Sequence, residues 1–166
     1  TDWMRISTGA DIAFMGGGSI RVTVPAGDVT VGNIYAVLPF DNFLEVLEIK
    51  GSTLKACLEN SVSAYPAQLG AFAQISGFSF SFDPSKKAGA RVVSMTKDGK
   101  PMDMDATYKL AVQDYNAIGG DGYSMLVGAK VVYKSSEWNR DGMVAYIMAH
   151  PEISAAVEGR ITVVKP

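Results

Sequence analysis

The residues best placed to do chemistry lie between Tyr108 and Tyr123, YKLAVQDYNAIGGDGY. Asp121 sits among Gly119, Gly120 and Gly122, with Tyr115 and Tyr123 on either side. Glycine admits positive φ and lets another body approach the backbone closely. A carboxylate in such a loop, an aromatic face and open amides at Gly119 and Gly120 suit a ligand with a ring and vicinal hydroxyls, such as a nucleoside. A plainer reading stands beside it: a tight turn in which Asp121 caps a neighbouring amide.

A second glycine run, Gly16-Gly17-Gly18, leads through Ser19 and Ile20 to Arg21. Its spacing fits neither GxxxxGK(S/T) nor GxGxxG. A guanidinium beside free amides at Gly17 and Gly18 can grip an anionic oxygen from two directions; it can also be a solvated surface charge. Phe40, just past Pro39 and next to Asp41 and Asn42, is oddly placed for a core residue, although core packing accounts for most phenylalanines. His150, the sole histidine, has no nearby Cys, His or Asp partner. Asp103 and Asp105 lack the full calcium-loop pattern and read as solvated. With no two-metal His/Asp spacing and no GxSxG elbow, the chain reads as a binding module without its own reaction centre.

The elements that must position these residues follow from periodicity. Tyr108 to Tyr115 alternates as a strand, with Leu110, Val112 and Asp114 on one side and Lys109, Ala111, Gln113 and Tyr115 on the other. Residues 1–8 read as the last turns of a helix ended by Gly9, and Ala10 to Met15 as a buried strand. Thr30 is the expected N-cap of a helix through Asn33, Ile34, Val37 and Leu38, stopped by Pro39. Leu44 to Lys50 reads as a strand. Gly51-Ser52 is expected to cap a helix with Leu54, Cys57, Leu58 and Val62 on one face. Gln74 to Phe82 reads as one strand whose Phe78, Phe80 and Phe82 line a core face. Arg91 to Thr96 and the Tyr108 strand flank Asp98-Gly99, a strong hairpin signal. A short strand near Lys130 to Tyr133, a helix from Arg140 to Ala149 and a strand from Arg160 to Lys165 complete a mixed α+β domain.

Composition agrees with one globular domain spanning residues 1–166. Hydrophobic residues make up 48 % and charged ones 19 %, which excludes a disordered chain. A net charge of −2 with no run of Lys or Arg argues against general nucleic-acid or anionic-membrane binding. Cys57 is the lone cysteine, so no internal disulfide forms, and its helical pattern makes it a small buried hydrophobe. No apolar run approaches the length of a bilayer span. The chain opens without an initiator Met in what reads as a helix already under way, as a processed or excised chain would.

GADIAFMGGGSIR, VLPFDNF, KGSTLKACLENS, QISGFSFSFD and DYNAIGGDGYSML occur in this order along the chain. In order and spacing they resemble the C-terminal domain of the 5'-nucleotidase family, which also takes in UDP-sugar hydrolases and 2',3'-cyclic phosphodiesterases; AAVEGRI near the end looks like the animal ecto-enzyme. The resemblance implies a layered α/β domain that binds nucleotide and presents it to an N-terminal metallophosphoesterase domain holding two divalent metal ions, with hinge motion between the two. It implies that Phe40 and Tyr115 sandwich the base, that Asp121 accepts from the ribose hydroxyls, and that Arg21 binds substrate oxygens. The family ring at position 115 is usually Phe, and the family commonly has Asn where this chain has Gly16. Thr1 to Arg5 looks like the tail of a linking helix whose Arg and Gly-Asn-Leu motif would lie upstream. The family also implies a periplasmic, cell-surface or secreted protein. The competing expectation is a free-standing, non-enzymatic nucleoside-binding or scaffold domain.

Overall fold

The computed structural model describes residues 1–154 and 156–164. In chain order the elements are α1 (Asp2–Thr8), β1 (Ile12–Gly16), α2 (Val31–Val37), β2 (Phe43–Lys50), α3 (Gly51–Ser61), β3 (Ala73–Ser76), β4 (Ser79–Phe82), β5 (Val92–Lys97), β6 (Lys100–Pro101), β7 (Thr107–Gln113), α4 (Asp114–Ala117), β8 (Lys130–Trp138), α5 (Asn139–Ala149) and β9 (Ile161–Val163). They form two mixed sheets, one ordered β3-β1-β7-β2-β8 and the other β6-β5-β4-β9. The architecture is the mixed α+β one read from the sequence.

The central strands are buried on both faces, which is why β1 reads as an unbroken apolar run. Ile12 and Phe14 of β1, Leu47 and Ile49 of β2, and Leu110 and Val112 of β7 pack on one side with Leu54, Cys57 and Leu58 of α3 and Phe80 and Phe82 of β4. Ala13 and Met15, Leu44 and Val46, and Ala111 face the other way, onto Trp3 and Met4 of α1. Period-two alternation thus fills two cores from the same strands. Burial pushes the Cys57 thiol up to about 12, so it serves as packing volume rather than as a nucleophile.

The helices begin and end largely as their sequences demand. Gly9 closes α1 with φ 63. Thr30 caps α2 through a reciprocal pair: its Oγ1 accepts from the Asn33 amide at 3.1 Å, and the Thr30 amide donates to Asn33 Oδ1 at 2.9 Å. The start of α3 differs from expectation. No side chain caps it; the amides of Gly51 and Ser52 donate to the carbonyls of Ala106 and Met104. Further along α3, Glu59 accepts from the amides of Arg91 and Val92, both at 2.8 Å. The Arg91 guanidinium in turn donates to the carbonyls of Val62, Ser63 and Tyr65. The two exchanges staple α3 to the start of β5.

Five expected elements come out differently. Gln74 to Phe82 is two strands in two sheets, because Gly77 at φ +83 turns the chain between them; the Phe78, Phe80 and Phe82 stripe is nevertheless core. Asp98 (φ 52) and Gly99 (φ 74) do form a hairpin turn, but the returning strand is β6, not the Tyr108 strand. Leu110, Ala111 and Val112 need cover on both faces, and only the centre of the other sheet supplies it, between β1 and β2. β7 stops at Gln113, and Asp114 and Tyr115 open the short helix α4. The strand expected over Lys130 to Tyr133 runs on to Trp138. As an edge strand it needs no apolar alternation, and it holds to β2 partly through Lys130–Glu48 and Lys134–Glu45 ion pairs. β9 covers Ile161–Val163, and Lys165 of the expected strand lies outside the described residues.

The break at Gly77 makes a prediction. A Cβ there would sit 2.5 Å from the Asp11 carbonyl oxygen, whereas Gly89, at φ +86, faces open space. Gly89→Ala should cost about 1 kcal/mol of left-handed strain, and Gly77→Ala at least about 2–3 kcal/mol because a backbone clash adds to the same strain. Urea denaturation compares them; equal costs would show that the sheet-to-sheet switch does not depend on this approach.

Candidate functional site

Four chain segments converge at one end of the five-stranded sheet. β1 and β7 run parallel, Ile12 beside Leu110 and Ala13 beside Ala111, so their C-terminal ends emerge together. β1 leads into the turn Gly17–Ser19 and on to Arg21; β7 leads into α4 and then the turn Gly120–Gly122. β2 is antiparallel with Leu44 opposite Gln113, so the Pro39 to Asn42 turn before it arrives at the same end. β3 pairs antiparallel with β1, Ala73 opposite Gly16, and brings Gly70. Between them lies a cleft of about 370 Å³, lined by Arg21, Phe40, Asn42, Tyr115 and Asp121 together with Gly18, Ser19 and Gly70.

The cleft therefore carries two half-exposed rings, one carboxylate and one guanidinium. Phe40 and Tyr115 are 48 % and 42 % exposed, which leaves ring surface open to a ligand. The Arg21 guanidinium lies 5.9 Å from the centre of the Phe40 ring and donates to the Gly18 carbonyl at 3.1 Å, a contact that holds the cation at the rim. Asp121 takes φ 55, and its carbonyl accepts from Asn60 Nδ2 of α3 at 3.0 Å. A Cβ at Gly16 would come within 2.9 Å of the Gly70 carbonyl oxygen and 3.1 Å of Asp121 Oδ2, so the small residue lets those two segments close on β1.

Two expectations change here. Three of the four glycine amides are not free: Gly17 donates to the Phe72 carbonyl at 2.7 Å, Gly18 to Gly70 at 2.9 Å and Gly119 to Asn116 at 3.0 Å. Gly17 and Gly18 thereby fasten the first glycine loop to the segment before β3, Gly119 closes its own turn, and the guanidinium is the cationic group that the Gly16–Arg21 loop leaves at the cleft. Of the two tyrosines around Asp121, only Tyr115 faces the cleft. Tyr123 is fully buried, its ring 4.7 Å from that of Phe14 and its hydroxyl donating to the Ala71 carbonyl; burial pushes its phenol pKa up.

Sequence reasoning missed the residues that hold the cleft in shape. Buried Ser19 donates to Gln113 Oε1 at 2.7 Å, tying the first glycine loop to the end of β7. Arg140, 8 % exposed, donates to the Pro39 carbonyl and the Asp41 carboxylate. Its guanidinium lies 4.3 Å from the Trp138 ring centre and 5.0 Å from that of Tyr35. The Asn139 amide donates to the Asn42 carbonyl at 2.8 Å. The turn that carries Phe40 is thus pinned from beneath by the start of α5. An arginine opening a helix gives no periodic signal; its burial is visible only once β8 and α5 are folded beside the turn.

Larger openings elsewhere lack this combination. One of about 590 Å³, between Gly17 and Phe72 along the Tyr65 to Gly70 loop, is lined by no Asp, Glu, Lys or Arg. Another, of about 470 Å³, has Arg160 already paired with Asp2 and Glu158. His150 ends α5 in solvent, stacked on Tyr146. Among the described residues no group of three His, Cys, Asp or Glu side chains could hold a metal ion, and no helix is long and apolar enough to cross a membrane. The cleft's own donor set does not fit a two-metal centre.

Fold and cleft define a mixed α+β domain with one charged, ring-lined cleft, and the comparisons place it. A family model described as "5'-nucleotidase, C-terminal domain" matches residues 1–128; the chain belongs to that family. It is 34 % identical over 173 residues to a snake venom 5'-nucleotidase of Macrovipera lebetinus, covering 97 % of this chain and 41 % of that protein. It is 34 % identical over 170 residues to the 5'-nucleotidase of Homo sapiens, covering 96 % and 29 %. A solved structure of a 5'-nucleotidase precursor from Thermus thermophilus superposes with a TM-score of 0.92 at 38 % identity, covering all of this chain and 34 % of that one. The chain therefore spans well under half the length of these relatives.

The pinned turn can be tested without any ligand. Arg140→Leu removes the fork while filling the space, and amide exchange across Phe40 to Asn42 should accelerate about tenfold or more while β7 keeps its protection. Unchanged exchange in the turn would show that it stands without the guanidinium.

Proposed function

We propose that this chain is the nucleotide-binding and specificity domain of a metal-dependent 5'-nucleotidase that hydrolyses nucleotide phosphate esters. The reading rests above all on the gathering of Arg21, Phe40, Tyr115 and Asp121 in one cleft, together with the family membership. Phe40 and Tyr115 take the base between their faces, a contact that tolerates several bases. Asp121 accepts from the ribose hydroxyls, since a carboxylate repels phosphate and accepts well from vicinal hydroxyls. Arg21 carries the opposite sign and takes the anionic end. Gly17, Gly18, Gly119 and Gly120 act by bringing backbone close to the ligand. Held at base, sugar and charge, the nucleotide has its phosphate fixed in direction, which is the positional part of catalysis. Hydrolysis, with two divalent metal ions, belongs in this reading to an N-terminal metallophosphoesterase domain. One relative is named for venom, and we place this protein likewise outside the cytoplasm, as periplasmic, cell-surface or secreted.

Two outcomes follow. Residues 1–166 alone, given AMP with Mn²⁺, Co²⁺ or Zn²⁺, should release no phosphate above the metal-only blank; turnover that copurifies with the chain would place the reaction centre here after all.

Binding tests the cleft itself, by calorimetry with adenosine, 2'-deoxyadenosine and AMP. Phe40→Ala should weaken adenosine about tenfold or more, the scale of one stacked base. Asp121→Asn should weaken adenosine more than deoxyadenosine by about 1–2 kcal/mol, the scale of one charge-assisted hydrogen bond, and Arg21→Ala should weaken AMP more than adenosine. Equal losses for adenosine and deoxyadenosine in Asp121→Asn would remove the ribose role.

A further inference from the structure

Tyr115 does more than offer a ring face. The Asp121 amide donates to the Tyr115 phenol oxygen at 3.3 Å, and that phenol donates to Asp121 Oδ1 at 3.2 Å. One hydroxyl can do both, because it carries a single donor and two acceptor lone pairs. The ring reaches this position by lying on the Gly120 backbone: a Cβ at Gly120 would sit 2.5 Å from the ring carbon that bears the hydroxyl. Asp121 needs such support, since it is one of two non-glycine residues among those described with positive φ. The other, Asp98, occupies the hairpin turn, where that conformation is required. Asn60 holds the Asp121 carbonyl from the opposite side.

Taking the nucleotide reading as its basis, we propose that the Tyr115 hydroxyl is a positioning group that locks Asp121 and thereby sets selectivity for a ribose over a 2'-deoxyribose ligand. By engaging Oδ1 and the backbone amide of the same residue, the phenol fixes both the left-handed backbone and the direction of the carboxylate. A phenylalanine at 115 keeps the stacking face and loses the lock. The base contact and the sugar contact are thus built on one side chain, with the ring serving the first and its edge the second.

Tyr115→Phe in the full protein separates the two roles. It should weaken adenosine about fivefold, the scale of one ordinary net hydrogen bond, while changing 2'-deoxyadenosine less than about twofold. Amide hydrogen exchange of the ligand-free protein gives the second readout: the Asp121 amide should exchange about tenfold faster in Tyr115→Phe, with β7 unchanged. Unaltered Asp121 exchange overturns the lock whatever the ligand does. Faster exchange with equal effects on adenosine and deoxyadenosine overturns the selectivity role. Failure of the nucleotide reading shows separately, as wild-type protein and Phe40→Ala that bind adenosine equally.

Discussion

The burial of β1 and β7 on both faces is the constraint on which the rest depends. Two strands covered above and below cannot slip by one residue without turning every apolar side chain to the wrong core. Ile12 beside Leu110 and Ala13 beside Ala111 therefore stay in place. Because the pair is parallel, both chains leave the sheet at the same end, and whatever follows them must meet there. β2 and β3, antiparallel to their neighbours, enter from that end. Arg21, Phe40, Tyr115 and Asp121 are spread over a hundred positions of sequence and are neighbours for this reason alone.

Register delivers the segments; local contacts then close them. The first glycine loop is stitched to the segment before β3 by the Gly17 and Gly18 amides, and to the end of β7 by Ser19 and Gln113. The Phe40 turn is held from beneath by Asn139 and Arg140. Asp121 is held by Asn60 from α3 and by Tyr115 from α4. Each wall is thus fastened to a different element. Such fastening lets irregular backbone keep a fixed shape where no ladder supports it.

Much of this was legible in the chain. An unbroken apolar run located β1 and period-two alternation β7, and the Thr30 cap and Gly9 stop marked helix ends, because those signals are local. The signals that misled were local as well. The Phe78, Phe80 and Phe82 alternation suggested one strand from Gln74, yet Gly77, at φ +83 and too close to the Asp11 carbonyl for a side chain, passes the chain from one sheet to the other. Asp98-Gly99 announced a hairpin correctly but could not name its partner, since that depends on which strands the cores need. In the cleft, residue types singled out Arg21, Phe40 and Asp121 individually, whereas the sequence alone suggested amides open to a ligand. Glycine runs leave amides accessible; for Gly17 and Gly18 the carbonyls that take them lie about fifty positions away, at Phe72 and Gly70. Arg140 and Asn60 were invisible for the same reason.

Exposed rings carry a cost that bears on what such a cleft is for. Phe40 and Tyr115 leave nearly half their surface in water, so each forgoes part of the roughly 1.5–3 kcal/mol that complete burial of a large apolar side chain brings. A flexible ring would also lose rotamer freedom whenever a ligand pressed on it. Here that freedom is already restricted: Tyr115 by its hydroxyl bonds to Asp121 and its seat on Gly120, and the Phe40 turn by the guanidinium and amide beneath it. The ordering is carried by folding, through contacts made before any ligand arrives. Under the proposed nucleotide reading, forgone burial and ordering completed in advance would together favour a planar guest against these rings, and the opposite charges of Arg21 and Asp121 would decide which way round it lies.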